Sequence, residues 1–304
     1  MGLYFVLILL IFITGIDASD KPKLTKDAID FCTAEDANSC GPVGKCLIQR
    51  SGNRCECPDG FMGKECKRPC QDIYKSCVRW HEERRCDWAL PISPFFYDNC
   101  PHACGRCTYG AKKLKLPLPP ILEPLAWIIG EWHTRTRGSG SRYPVPFNGP
   151  YEEMLKFSIS EIPSFDRPPL NVSITAKSLT DEGTHQEVGF MTVKPFREDT
   201  GFAVLNKPEF GDDLVAIEMV SSHGLITIEE GILYNNSIVL SVKYGLKHPS
   251  ARAEVKEADR TFTLITPVIL EEKTRLVTAD NRVLKFRKKY IKRFDYLTDF
   301  IPVD

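Results

Sequence analysis

The sequence predicts a mainly β protein in which a disulfide-dense N-terminal region precedes an antiparallel sheet closed into a barrel. Two observations carry this. All twelve cysteines of the 304 residues lie between Cys32 and Cys107. Such density belongs to small extracellular domains without a sufficient apolar core, and the cysteine-free remainder to a conventionally packed one. Beyond residue 120, apolar and polar residues alternate in short segments: Leu155, Phe157 and Ile159; Val188 and Phe190; Val215, Ile217 and Met219; Ile226 and Ile228; Ile238, Leu240 and Val242; Leu284 and Phe286. A period of two is the strand signature, and turn sequences separate the segments. Closing such a sheet removes its unpaired edges, with a two-sheet sandwich as the alternative. Forty basic residues balance forty acidic ones, so no global field draws the chain to nucleic acid.

The N-terminus is expected to be a signal peptide over residues 1–18. Leu3 to Ile16 is an apolar run of 14 residues, shorter than the ~20 needed to span a bilayer as a helix. Lys21, Lys23 and Lys26 follow the run and oppose its retention as a type II anchor, the one route to a membrane location. Val6 stands where a myristoylation signal needs Ser or Thr. Asn171-Val-Ser and Asn235-Asn-Ser are glycan acceptor triplets, the first on the polar face of an alternating segment and the second in a hairpin turn.

Six cysteines, Cys32, Cys40, Cys46, Cys55, Cys57 and Cys66, end in Cys57-Pro-Asp-Gly-Phe-Met-Gly-Lys-Glu-Cys66. Spacing alone permits fifteen pairings. Residues 32–66 resemble the EGF family, which implies Cys32–Cys46, Cys40–Cys55 and Cys57–Cys66. The segment reads as a stapled spacer or a receptor-binding face, and Asp27 to Phe31 and Ile48 lack the acidic pattern of calcium-binding members. The second six, over residues 70–107, carry Cys70-Gln-Asp72, Cys77-x-x-Trp80 and Cys100-Pro-His-Ala-Cys104-Gly-Arg-Cys107. They resemble a ShK toxin-type module, implying Cys70–Cys107, Cys77–Cys100 and Cys86–Cys104. Pro94 and Phe95 replace the Lys-Tyr pair with which toxin members block potassium channels. His81-Glu82 lacks the second histidine of a zinc protease, since Arg85 stands there.

Residues 108–119 combine charge with proline and read as a semi-stiff linker. Then Leu122-Glu-Pro-Leu-Ala-Trp127-Ile-Ile-Gly130-Glu-Trp132, Tyr143-Pro144, Tyr151-Glu152-Glu153, His185-Gln-Glu187-Val-Gly189-Phe190, Ile228-Glu229-Glu230-Gly231 and Phe286-Arg-Lys-Lys follow in order. This series resembles nitrobindin and the THAP4-like haem-binding barrels. The resemblance implies a barrel of about ten strands over residues 120–292, related to fatty-acid-binding proteins, with 293–304 as a tail. Haem-bearing members hold iron through a histidine on the last strand, and some isomerise peroxynitrite. The resemblance sets Asn281 at that position, and an amide oxygen is a poor iron ligand. No haem, metal or catalytic residue is therefore expected. Trp127, Trp132, His185 and Asn281 form the candidate ligand pocket. The tryptophans read as barrel-closing core. His185 stays open between substitute iron ligand, pocket hydrogen-bonding group and structural histidine. The basic run from Arg282 to Arg293 reads as a solvated outer face, or as a patch for a sulfated glycan or acidic partner.

With every cysteine allotted to a bridge, no thiol is free for catalysis. The order of modules resembles nematode secreted or cell-surface proteins. The expected role is a non-enzymatic extracellular interaction or morphogenesis protein of the epidermis or cuticle. Its partner would be an extracellular or matrix protein, and its barrel a scaffold or a binder of a small apolar ligand. A haem protein acting on peroxynitrite or nitric oxide, and an EGF-type receptor ligand, are the alternatives.

Overall fold

A computed structural model describes residues 32, 39–48, 54–63, 65–89, 95–138, 140–165, 167–193, 196–197, 201–202, 213–249 and 255–303. The expected signal peptide lies outside them. Among the described residues no helix is long and apolar enough to cross a membrane.

Ten antiparallel strands close into a barrel: β1 (Gly130–Arg135), β2 (Tyr151–Ile159), β3 (Leu170–Ser178), β4 (Thr184–Val193), β5 (Asp213–Ser221), β6 (Leu225–Tyr234), β7 (Ser237–Lys247), β8 (Val255–Thr266), β9 (Ile269–Thr278) and β10 (Val283–Phe294). Each pairs with the next in sequence, and β10 closes on β1. This meander needs no crossover; the links after β5, β6, β8 and β9 are short turns, whereas residues 136–150 form a longer loop between β1 and β2. Asn235, at φ +49°, occupies the tight turn between β6 and β7, a conformation that asparagine tolerates better than most residues.

One end of the barrel is apolar and plugged. A 3-10 helix, Pro120–Ile128, buries Leu122, Leu125 and Ile128 against Trp132, Phe157, Leu170, Phe262 and Leu270. Pro124 inside it has no N–H to donate, which disfavours a continuous α-helix there. Trp132 is fully buried and its indole N–H donates to the Ile128 carbonyl at 2.7 Å.

The cysteine region forms six disulfides, Cys32–Cys46, Cys40–Cys55, Cys57–Cys66, Cys70–Cys107, Cys77–Cys100 and Cys86–Cys104. The first three staple two small hairpins, Lys45–Leu47 with Arg54–Glu56 and Phe61–Met62 with Arg68–Pro69. The others tie three short helices, α1 (Cys77–Glu82), α2 (Arg85–Ala89) and α3 (Phe95–Asn99). Their small core is Cys77, Trp80 and Cys100, with Tyr74, Phe95 and Phe96 against it.

The proline-rich connector is packed onto the barrel as well as joining two regions. Lys112–Leu114 pairs with Phe300–Pro302, beyond the end of β10, and Leu114 and Leu118 are buried in the barrel's core cluster. The Gln71 side chain donates to the Leu114 carbonyl at 2.7 Å and accepts from its N–H at 3.1 Å. Arg68 donates to the Leu118 carbonyl at 2.9 Å and pairs with Glu123. Charge and proline content describe a segment's own preferences; the backbone partner supplied by the chain's far end decides its structure.

Candidate functional site

Above the apolar plug, the strands turn charged side chains inward. Glu153 of β2, Glu187 of β4, Glu229 of β6, Arg260 of β8, Glu272 of β9 and Lys288 of β10 are all buried. Arg142, 1% exposed, enters from the loop between β1 and β2. Alternation alone explains how each arrives there. Glu153 shares its face with Tyr151, Leu155 and Phe157, and Lys288 shares its face with Tyr290.

These groups form one continuous network. The Arg142 guanidinium holds Glu153 at 2.5 Å, pairs with Glu187 and donates to His185 Nδ1 at 3.3 Å. The Lys288 ammonium bridges Glu153 at 2.8 Å and Glu272 at 2.9 Å. The Tyr290 hydroxyl lies 2.5 Å from Glu153 and 2.7 Å from Glu272, with one proton to donate between them. Arg260 completes the chain, at 3.1 Å from Glu272 and 3.2 Å from Glu229.

Three cations meet four carboxylates here. Burial pushes every carboxyl upward, but Lys288 with Arg142, and Lys288 with Arg260, hold Glu153 and Glu272 below the ordinary carboxylate range. Glu187 and Glu229 stay raised, burial outweighing the arginine beside each. The set balances when one of these two carries a proton. Burial, and then the two carboxylates, push the Tyr290 hydroxyl far up, so it remains a neutral donor.

His185 sits at the other end of the barrel from the plug. Its ring stacks on Phe147 at 4.0 Å and meets His223 edge-on at 4.0 Å. Burial, then the charges of Arg142 and His223, hold its imidazole down to about 4, while a hydrogen bond to the Val145 backbone opposes them. It is therefore neutral at physiological pH, with Nδ1 accepting from Arg142. An unfolded histidine titrates near ~6.5. The unfolded chain thus binds a proton that the folded one refuses, and His185 makes stability fall as pH drops from about 6.5 to about 4. Glu187 and Glu229 act in the opposite direction. His185→Gln is expected to flatten this loss in urea midpoints measured across the window; an unchanged slope would contradict the assignment.

The four candidate pocket residues do not come together. Trp132 is core, and Trp127 packs partly buried beside it. His185 lies at the opposite end. Asn281 does not reach the lumen: it occupies the turn before β10 at φ +63°, exposed, with its side-chain oxygen accepting from Lys256 at 3.0 Å. The inward positions of β10 are Phe286, Lys288, Tyr290 and Lys292. Asn281 falls short because the strand begins only at Val283, two residues later than the resemblance implied. The basic run is also divided: Lys285, Arg287 and Lys289 face solvent, whereas Lys288 enters the network and Lys292 covers Trp132 at 4.7 Å.

The donor set does not fit a haem iron. No histidine stands on β10. His185 is committed to Arg142 and the Val145 backbone. Tyr290 is a buried proton donor between carboxylates, the opposite of the phenolate that iron takes. The network was missed in the sequence, although Glu153, Glu187, Glu229 and Lys288 all lie in the motifs that carried the resemblance. The available signal was a charge recurring on the same alternating face as buried apolar residues.

Residues 121–289 match the family model described as a THAP4-like, heme-binding beta-barrel domain, and residues 69–107 match a ShK domain-like model. The peroxynitrite isomerase THAP4 of Rattus norvegicus is 27% identical over 165 residues, covering 53% of this chain and 25% of that protein. Its Homo sapiens counterpart is 26% identical over 163 residues, covering 53% and 24%. The Caenorhabditis elegans protein described as uncharacterized protein C28H8.5 is 23% identical over 231 residues, 71% of this chain and 70% of that one. The crystal structure of Rv2717c from M. tuberculosis aligns at 20% identity and a TM-score of 0.41, over 58% of this chain and 98% of that one. The chain spans about a quarter of the length of the THAP4 relatives. Because the barrel match takes in more than half of its residues, the chain belongs to the THAP4-like, heme-binding beta-barrel domain family, with a ShK-like module ahead of the barrel.

Proposed function

We propose that the protein works outside the cell as a non-enzymatic interaction protein, with the cysteine modules as contact surface and the barrel as their rigid mount. The observation that carries this is the lumen, where arginine, lysine and carboxylate side chains pair with one another, Glu229 through one oxygen only, and where Arg142 already engages His185. A charged interior also favours the mount over a carrier of apolar ligands, since an apolar guest would strip these groups of partners. Six disulfides suit an oxidising compartment. An EGF-like identity for residues 32–66, and a morphogenesis role at epidermis or cuticle, belong to the same reading. The order of modules resembles the nematode ray-morphology protein called male abnormal, and the Caenorhabditis relative extends over both regions.

A second reading follows from the names of the THAP4 relatives, which are peroxynitrite isomerases. One titration separates the two. Full-length secreted protein mixed with hemin is expected to give no sharp Soret band at one equivalent and to leave peroxynitrite decay at the buffer rate. A one-equivalent ferric-histidine spectrum that disappears in His185→Ala would establish the enzyme reading instead. Asn281→His is expected to create no such spectrum, because that position points to solvent.

A further inference from the structure

Two barrel strands turn polar residues inward, and apolar ones outward, along part of their length. On β4 and β6 the inward phase carries His185 and Glu187, and Thr227 and Glu229, beside the apolar Met191, Val193, Leu225 and Leu233, so Val188, Phe190 and Ile226 face out. Val220 of β5 joins them. They are 59%, 50%, 39% and 50% exposed in the same order. Together they line an outer groove of about 540 Å³ across β3, β4, β5 and β6. Gly189 also lines it, and an added Cβ there would fall 1.7 Å from the Glu218 carbonyl oxygen, so the strands approach too closely for a side chain. An exposed apolar surface of this kind calls for a cover.

The groove contains its own attachment point. Asn171 and Ser173, the first and third residues of a glycan acceptor triplet, line it. Asn171 stands directly opposite Phe190 in the β3–β4 ladder, and Ser173 opposite Val188. Directly paired residues have Cβ atoms only about 5 Å apart. The first sugar on Asn171 therefore starts beside an exposed aromatic ring. We propose that Asn171 is N-glycosylated and that the proximal N-acetylglucosamine lies in this groove, its C–H face over Phe190 and its hydroxyls in water. In the attachment, sugar C1 leaves the diphosphate of a lipid-linked oligosaccharide and bonds to Asn171 Nδ2, which gives up one proton; the lipid diphosphate departs. The sugar thus shields the apolar row that the inward charge network displaced to the outside. Asn235 makes the contrast. It sits in a tight turn and does not line the groove.

This inference rests on the extracellular reading, since only a chain entering the secretory route meets that donor. The test uses the full chain secreted from eukaryotic cells. Peptide mass spectrometry is expected to find Asn171 occupied. Trimming to a single N-acetylglucosamine should leave hydrophobic-dye fluorescence low. Complete removal should raise it severalfold and lower the barrel's thermal midpoint by roughly 2 to 4 °C. Phe190→Ser should abolish the difference between trimmed and stripped protein, and Asn235→Gln should change neither readout. An empty Asn171 in secreted protein overturns the inference, as does an occupied one whose removal alters nothing. So does a dimer formed over the groove by the wild-type glycoprotein, which would make a second copy the cover. If the chain's own N-terminus leaves it inside the cell, the extracellular reading falls. A copy behind a foreign secretory leader then still decides the groove by the same occupancy and trimming readouts.

Discussion

Arg260→Met is expected to destabilise the barrel by about 3 to 5 kcal/mol, the usual penalty for removing one partner from a buried ion pair. Methionine replaces much of the volume, so the loss is electrostatic. Glu229 and Glu272, 0% and 1% exposed on their side chains, would keep their burial and lose the guanidinium that bridges them. Glu272 would keep Lys288 and Tyr290, but Glu229, already raised by burial, would lose the charge that opposes it and titrate higher still in the folded than in the unfolded chain. A carboxyl raised in this way contributes stability below its unfolded value and loses it as pH rises through the folded one. The deficit of the variant should therefore shrink between pH 7 and pH 5. Urea unfolding followed by tryptophan fluorescence would measure it, Trp132 being in the core. Replacing Arg260, Glu229 and Glu272 together by apolar residues should recover much of the loss, because no charge would remain buried alone. An unchanged midpoint in the single variant would show that the network contributes nothing.

The double change Cys70→Ser with Cys107→Ser is expected to unfold the helical cysteine module and leave the barrel standing. That bridge spans 37 residues of sequence, and loop-closure entropy gives it roughly 4 kcal/mol. The module has little else. Its buried core is Cys77, Trp80 and Cys100 with a few partly covered aromatics, and small domains rarely survive such a loss. Limited proteolysis should cut within residues 70–107 while the barrel from Gly130 onward resists. Some softening should reach the connector, because Gln71 would release the backbone of Leu114. Barrel unfolding at the same midpoint as the module would show that the two regions form one cooperative unit.

Much of the architecture was legible because it follows from local rules. Cysteine density marked the stapled region, and period-two patterning marked the strands. Leu155, Phe157 and Ile159, for instance, read as one buried face and are one. Patterning failed where the barrel departs from the simple rule. Val188 and Phe190, and Ile226 and Ile228, carry the alternation of their strands, yet they lie on the outward phase, while the inward one holds Glu187 and Glu229 among apolar neighbours such as Met191 and Leu233. An alternating pattern has two phases, and only neighbours on other strands decide which phase faces in. Arg142, distant in sequence from every carboxylate it meets except Glu153, supplies that decision for Glu187.

The sequence by itself determined the class of fold and the division between stapled and barrel regions, because composition, spacing and periodicity are properties of the chain, and its ordered motifs carried the family resemblance. Tertiary structure alone decided the site. It sent Asn281 to an exposed turn, closed His185 off with Arg142 and Val145, and assembled seven charges from six strands and a loop into one interior network. A buried charge is tolerated only when its partner is in place, and partners 135 residues apart, such as Glu153 and Lys288, meet only when the barrel closes.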